Sequence, residues 1–314
     1  MNFGRYVPVV FMPTLILGSW AALAHPKLSS TSTQPLILKF AAKVGSQPFA
    51  CGTTYSLGKP ATQVTPNDFR FYVSEVALLD AKGKATPVTL EQDGKWQYQS
   101  VALLDFENKT GACANGTTEM RDRIIGTVPK GSYTGLKFTL GVPFELNHGD
   151  ATLAPSPLNL TGLWWNWQLG YKFVRLDLQK PATHSSRHSS QGHSPQGHSP
   201  KSHQPTGAHG QSGGFLIHLG STGCAAQPPA QTPTVCKNPN KAVVTLPRFN
   251  AAQNIIVADL AQLVSKADLS QNQPKTAPGC MSDPEDRDCQ SIFAHLGLPF
   301  KSQPAIPQTF FSIK

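Results

Sequence analysis

The chain has 314 residues, and its 27 lysines and arginines against 18 aspartates and glutamates give a formal net charge of +9. Nucleic-acid-binding domains concentrate such charge in runs or stripes. Here the basic residues are scattered, so we expect no nucleic-acid partner. Past the N-terminal segment, no apolar stretch approaches the roughly 20 residues that a membrane-spanning helix needs, which argues against a membrane-spanning protein.

The N-terminus carries the features of a secretory leader. Arg5 precedes an apolar run from Val7 to Ala22, and Ala22-Leu23-Ala24 has the small-x-small pattern of a cleavage site. A membrane anchor is the alternative, but the run is short for a bilayer span and prolines interrupt it. We therefore expect a signal peptide at residues 1–24 and an exported product.

A tether at residues 25–35 is followed by segments with the period of a half-buried strand. In the first, residues 36–44, apolar side chains alternate with Lys39 and Lys43, as expected when one face is buried. Comparable segments span Phe69–Leu79, Trp96–Phe106, Tyr133–Val142, Trp164–Leu178, Gly214–Leu219 and Lys241–Leu246. Turn residues separate them, which predicts an all-β fold: an antiparallel, sandwich-like single domain over residues 36–314.

Two short helices are expected near the C-terminus. The first covers residues 259–266 with Asp259 as its N-cap, and the second begins at Asp283-Pro284 and ends before Gly297. Proline in the first turn and glycine just past the last turn are typical of helix boundaries.

Six cysteines follow the leader, and their even number behind an export signal indicates disulfides that staple the domain. They are Cys51, Cys113, Cys224, Cys236, Cys280 and Cys289. Many pairings are possible, and the sequence does not choose among them. Short loops favour Cys224–Cys236 and Cys280–Cys289, which leaves Cys51–Cys113. None of the spacings is that of a thiolate metal site or of covalently attached haem.

A segment rich in His, Ser, Gly, Gln and Pro interrupts the domain at residues 181–213. It contains near-repeats of Gln-Gly-His-Ser-Pro and six histidines: His184, His188, His193, His198, His203 and His209. Its composition cannot bury enough apolar surface to offset the entropy of ordering. We predict a disordered insertion between two strands that serves as an accessory metal-binding loop for copper, zinc or nickel. A repeat expansion without a role is the alternative.

An aromatic cluster occupies residues 163–173. If this segment is extended, Trp165, Trp167, Leu169, Tyr171 and Phe173 share one face. Core packing is the ordinary explanation for such a face, because large aromatic rings bury well. A platform on which a ligand stacks is the alternative.

Two histidines lie outside the insertion in contexts that could supply metal ligands. His148 follows the segment Pro143–Asn147, and His218 sits on a predicted strand, opposite to the face of Ile217 and Leu219. An isolated histidine is more often a hydrogen-bonded structural residue than a ligand. Met281, beside Cys280, is a further soft ligand candidate, with core packing as its alternative.

No motif for catalysis is present. The chain has no Gly-x-Ser-x-Gly elbow, no zincin helix and no phosphate-binding loop. We therefore predict that the protein is not an enzyme.

Several segments together resemble the MbnP family, also called the metallo-mystery-pair four-Cys proteins. They are Pro48–Gly52, Asp68–Ser74, Gly141–His148, Trp165–Phe173, His218–Cys224 and Gly279–Ser282. They occur in order from about Leu36 to Leu298, and several are long. The His-rich insertion does not belong to the family pattern.

The resemblance implies a periplasmic protein of copper homeostasis that binds one Cu(I) ion. In the family, binding depends on oxidation of the first tryptophan of a Trp-x-Trp motif to kynurenine by MbnH, a dihaem partner of the cytochrome c peroxidase/MauG type. Trp165 is the residue that matches this position, and Trp164 immediately precedes it. From their motif positions, we infer His148, His218 and Met281 as metal ligands beside the altered Trp165.

Two other functions compete with copper binding through Trp165. One is buffering of zinc, nickel or copper by the His-rich insertion. The other is non-catalytic carbohydrate binding by a β-sandwich that stacks sugars on its tryptophans.

Overall fold

The computed structural model describes residues 32–181, 214–229 and 232–314, besides residues 1 and 4. Short strands dominate this part of the chain. They are β1 (Thr33–Val44), β2 (Gln47–Pro48), β3 (Tyr55–Leu57), β4 (Thr62–Leu79), β5 (Ala85–Pro87), β6 (Thr89–Leu90), β7 (Gln97–Tyr98), β8 (Val101–Asp105), β9 (Arg123–Pro129), β10 (Gly135–Leu140), β11 (Trp164–Asn166), β12 (Gly170–Tyr171), β13 (Val174–Gln179), β14 (Gly214–Leu219), β15 (Thr222–Ala225), β16 (Val235–Asn238), β17 (Ala242–Pro247), β18 (Ile256–Asp259) and β19 (Phe311–Ile313).

Helices in the described residues are few and short. They are α1 (Phe144–Asn147), a 3-10 turn at Thr161–Leu163, α2 (Leu260–Leu263) and α3 (Asp288–Leu296). Asp259 caps α2 as predicted, since its side chain accepts a hydrogen bond from the Ala261 amide at 2.9 Å. No helix among the described residues is long and apolar enough to cross a membrane.

The larger sheet is built around the long strand β4. Its main path runs β14-β13-β4-β10-β17, and β3, β5 and β8 also pair with β4. All of these pairings are antiparallel. Most of β4 is buried on both faces. Other strands pair with both of its edges, and other parts of the chain pack on both of its faces.

The smaller sheet has the order β19-β18-β1-β9-β6 and packs face to face on the larger one. Buried and exposed residues alternate along β1 as its sequence predicts. Its Phe40 ring lies 6.2 Å from Phe71 of β4 and 6.0 Å from Phe138 of β10, within the range of favourable aromatic pairs. The predicted sandwich is confirmed, with one difference: β1 and β18 run parallel.

Element boundaries depart from the sequence prediction at several places; among them, helix α2 ends at Leu263, three residues before the predicted end. Strand β1 begins at Thr33, three residues before the predicted domain start. The segment predicted as one strand over residues 164–178 is divided into β11, β12 and β13. Helix α3 begins at Asp288, and the predicted start at Asp283 is wrong, because the Asp283 side chain instead accepts the Glu285 amide at 2.8 Å in a local turn. Gly297 ends α3 with φ of 76°.

The three disulfides have the favoured pairing, Cys51–Cys113, Cys224–Cys236 and Cys280–Cys289. Cys224 and Cys236 stand directly opposite each other on β15 and β16. The Cys280–Cys289 bond ties α3 to a segment that bridges to β14 at Ile217.

The described strands also place the His-rich insertion. Strand β13 ends at Gln179, β14 begins at Gly214, and these two residues are paired neighbours in the larger sheet. The insertion therefore connects adjacent antiparallel strands. Its six histidines, like most of the leader, lie outside the described residues.

Candidate metal centre

The Trp-x-Trp motif lies in a tight hairpin formed by β11 and β12. The Asn166 side chain accepts hydrogen bonds from the amides of Gln168 at 2.9 Å and Leu169 at 2.8 Å, and so turns the chain. Trp167 at the tip is 49% exposed, whereas Tyr171 is fully buried. The prediction that Trp165, Trp167 and Tyr171 share one face is therefore wrong, because an Asx turn replaces the extended strand.

Trp165 is half-buried and lies over the end of β14. A Cβ atom added at Gly220 would be 2.3 Å from Cζ3 of the Trp165 ring and 2.7 Å from the Tyr171 carbonyl oxygen. Only glycine leaves room for the ring at this position. The close approach fixes the indole against the strand that carries His218.

His218 lies beneath the indole, with its ring centre 6.5 Å from that of Trp165. It is 6% exposed, and its Nε2 is 2.7 Å from Oδ1 of Asp177 on the neighbouring strand β13. Burial lowers the pKa of His218 and outweighs the opposite effect of Asp177. The imidazole is consequently neutral at neutral pH, which is the form that binds metals.

Asp177 belongs to a buried cluster of alternating charges. Its Oδ2 accepts hydrogen bonds from Arg175 at 2.7 and 2.9 Å, Arg175 also reaches Asp68 at 3.1 Å, and Asp68 pairs with Arg70. Burial opposes ionisation of Asp177, but the bonds from His218 and Arg175 prevail and lower its pKa to about 2. The cluster thus presents a fixed negative charge to His218.

Sequence reasoning missed Asp177, although a signal was present. Asp68 and Arg70 on β4, and Arg175 and Asp177 on β13, alternate with apolar residues on strands that are otherwise buried. Charged residues on such strands require partners. The register then brings this face of β13 beside His218.

Met281 is brought to the same region. Ile217 of β14 and Cys280 form a parallel bridge, and the His218 amide donates to the Cys280 carbonyl at 2.9 Å. The backbone next to Met281 is therefore held against the strand that carries His218. Met281 is half-buried there.

His148 follows α1 and contacts the hairpin from a different element. Its Nδ1 lies 3.1 Å from the Trp167 carbonyl oxygen, and its ring centre is 4.7 Å from that of Phe144. Its Nε2 is 3.4 Å from Sγ of Cys236. Burial lowers the pKa of His148, so this imidazole is neutral as well.

Asn147 connects the surroundings of the two histidines. Its side-chain oxygen accepts from the Tyr171 amide at 2.9 Å, and its Nδ2 lies 3.5 Å from the Ser221 hydroxyl, just past β14. His148 and His218 therefore contact the same hairpin, one at the Trp167 backbone and the other at the Trp165 ring.

Within the described residues, one group of three His, Cys, Asp or Glu side chains has its ligand atoms within 4.8 Å of one another: His148, Cys224 and Cys236. Both sulfurs belong to a disulfide, so they are not thiolate ligands. Among the described residues, His148 and His218 do not form such a group with a third His, Cys, Asp or Glu whose ligand atom lies within 4.8 Å of both. Any further donor has to come from another residue type.

His295 in α3 has a different environment. Its Nδ1 is 2.7 Å from the Thr309 hydroxyl and its Nε2 is 3.0 Å from the Ser265 hydroxyl. Both ring nitrogens are used in bonds that hold α3 in place, which is the ordinary structural role.

Two comparisons with known proteins gave matches. The family model of MbnP matches residues 33–282. Among solved structures, MbnP from Methylosinus trichosporium is similar, with a TM-score of 0.70 and 29% identity over 90% of this chain and 98% of that chain. No curated protein matches the sequence. The match spans the hairpin, both histidines and Met281, and the chain belongs to the MbnP family.

Proposed function

We propose that the protein is a periplasmic Cu(I)-binding protein of copper homeostasis, without catalytic activity, whose site depends on oxidation of Trp165 to kynurenine. Membership of the MbnP family supports the proposal. The observation that carries it is the 6.5 Å separation between the rings of Trp165 and the buried His218. A kynurenine side chain at residue 165 would therefore lie beside the neutral imidazole of His218.

The residues fit a cuprous ion by the chemistry of their donors. Indole offers only an N–H donor and is a poor ligand, whereas kynurenine has an aromatic amine and a ketone with free lone pairs. Neutral imidazoles from His148 and His218, with the Met281 thioether as a further donor, suit Cu(I). All six cysteines are disulfide-bonded, so the site is free of the thiolates that an oxidising compartment would consume.

Conversion of Trp165 breaks the indole C2–C3 bond, adds oxygen at both carbons and releases C2 as formate after hydrolysis. The oxidising equivalents have to come from outside the chain, and we assign them to a dihaem partner of the MbnH type. The half-buried Trp165 and the 49% exposed Trp167 support this assignment, because they place aromatic edges of the hairpin at the surface.

Carbohydrate binding is less well supported. A sugar platform needs several exposed, coplanar rings, but Trp164 and Trp165 are half-buried while Trp167 points outward at the turn.

Buffering of metal ions by the His-rich insertion is a separate alternative. Deleting residues 181–212 tests it, and we expect one tightly held copper equivalent to survive the deletion.

Peptide mass mapping of the protein purified from its native envelope tests the proposal. We expect residue 165 to have lost one carbon and gained one oxygen, and the copper content to follow that conversion. Trp165→Phe should abolish tight copper binding. Trp164→Phe is the matched control, because its Nε1 is buried without a hydrogen-bond partner and its loss removes no bond.

Two results would contradict the proposal. Full copper occupancy with an intact Trp165 would show that oxidation is unnecessary. Copper-free protein after complete conversion, in the presence of Cu(I), would exclude kynurenine as a ligand.

A further inference from the structure

We propose that the fold holds His148 and His218 in opposite neutral tautomers, so that His218 offers Nδ1 and His148 offers Nε2 to the metal. Asp177 is the positioning residue for His218. The tautomers themselves follow from hydrogen bonds in the metal-free chain, while their use in copper binding rests on the proposed function.

The tautomer of His218 is fixed by Asp177. The Asp177 carboxylate is paired with Arg175 at 2.7 Å and can only accept hydrogen bonds. The Nε2 atom of His218, 2.7 Å from Oδ1, therefore carries the ring hydrogen. Nδ1 has no hydrogen-bond partner among the described residues, and it is not one of their fully buried unpartnered atoms. Its lone pair thus remains accessible.

His148 is fixed in the opposite sense by the backbone. The Trp167 carbonyl oxygen can only accept, so Nδ1 of His148, 3.1 Å away, carries the hydrogen. Nε2 then has the lone pair. It faces Nδ2 of Asn147 at 3.3 Å and the Cys236 sulfur at 3.4 Å.

One of these neighbours, Asn147, supports a lone pair on Nε2. The Asn147 side-chain oxygen is engaged by the Tyr171 amide, which orients the amide so that Nδ2 donates toward His148. The sulfur of Cys236 is in a disulfide with Cys224, so it has no hydrogen to donate and does not decide the tautomer. The Trp167 carbonyl and the Asn147 amide therefore assign the same tautomer.

This arrangement has a chemical consequence. Ligand histidines commonly donate their second ring N–H to a carboxylate or a backbone carbonyl, which orients the ring and increases its basicity. Here one histidine has each kind of partner. Both lone pairs are present before the metal arrives, and at His148 the metal would replace the hydrogen bond from Asn147.

Long-range proton–nitrogen correlation spectra of the ¹⁵N-labelled, copper-free full chain test the tautomers directly. His148→Gln and His218→Gln variants assign the signals, and the ring of His295 serves as an internal reference. We expect hydrogen on Nε2 of His218 and on Nδ1 of His148 at neutral pH. The same tautomer at both residues, or a protonated ring at either, would overturn the inference.

The variant Asp177→Asn sharpens the test because it preserves shape. Arg175 can only donate, so it recruits the new amide oxygen and the amide NH₂ turns toward His218. His218 should then switch to hydrogen on Nδ1, and copper affinity should fall roughly 10- to 100-fold. An unchanged tautomer with unchanged affinity would refute the role of Asp177.

Asp68→Asn is the matched control, since it makes the same charge change in the cluster without touching His218. We expect its His218 tautomer to remain as in the parent chain. A switch in both variants would assign the effect to charge alone and refute Asp177 as the positioning residue. If the tautomers are as proposed but copper stays bound without both histidines, the tautomer assignment stands and the role of the two histidines as copper ligands is refuted.

Discussion

The two candidate ligands reach the hairpin by different structural means. His218 projects from a central strand and is oriented by a charge cluster that spans three strands of the larger sheet. His148 follows a four-residue helix and is oriented by a backbone carbonyl and packed on a disulfide. One environment depends on electrostatics within the larger sheet and the other on the disulfide-crosslinked strands β15 and β16, so the two should respond to different perturbations.

The largest effect is expected when both environments lose their imidazole. In protein with a fully converted Trp165, His148→Gln with His218→Gln should remove the tightly held copper, because the neutral nitrogen donors are gone. Metal content after dialysis against a Cu(I) chelator measures this. His295→Gln is the control, and retention of copper in a folded double variant would refute the ligand set.

Removing single disulfides should separate the two environments. Alanine at Cys224 and Cys236 should perturb the ring signals of His148, whereas alanine at Cys280 and Cys289 should perturb those of His218. Each loss should lower the free energy of unfolding by about 2–4 kcal/mol, as measured by urea titration. Equal perturbation of both histidines in either variant would contradict the separation.

A smaller effect is expected at the contact between Trp165 and β14. Gly220→Ala places a methyl group into the indole and the Tyr171 carbonyl, and overpacking of this kind costs about 1–3 kcal/mol. Urea unfolding measures the cost, and Trp165 fluorescence reports displacement of the ring. Gly149→Ala is the matched control, because nothing lies within 4 Å of its added Cβ. Equal stabilities would argue against the close approach.

The smallest effect is a dependence of stability on pH. Burial lowers the pKa of both His148 and His218, so below pH ~6.5 the unfolded chain binds protons that the folded chain does not. The free energy of unfolding should therefore fall as pH drops through this range, by at most about 1.4 kcal/mol per pH unit for each histidine. Each single variant, His148→Gln or His218→Gln, should remove the part of this pH dependence that its own histidine contributes.

This comparison has to be made against the parent chain at every pH. Burial first, and then the nearby Glu107, raise the pKa of Asp105 to about 7. The Asp105 carboxyl changes stability in the opposite direction. Below pH ~7 the folded chain keeps this proton while the unfolded chain has lost it, so this group raises the free energy of unfolding as pH falls. A glutamine variant with the same pH slope as the parent would contradict the shifted pKa of its histidine.

Local patterns were sufficient to predict much of the fold. The alternation along β1, the short loops at Cys224–Cys236 and Cys280–Cys289, and the caps Asp259 and Gly297 each depend on residues close in sequence. Physical rules for strands, loop closure and helix ends apply there without knowledge of the tertiary structure.

The site was harder to predict because it depends on pairing between distant strands. The aromatic segment has strand-like residues throughout, yet one Asn166 side chain turns it and sends Trp167 outward. The role of Asp177 requires the register that sets it beside His218. That the ring of His148 packs on Cys236 could not be read from any spacing.

The smaller sheet joins the two ends of the domain, since β1 lies beside β18 and β18 beside β19. Contacts this remote in sequence raise the contact order and slow folding, because a very long loop must close before they form. The sheet can be completed only when the last strand is available.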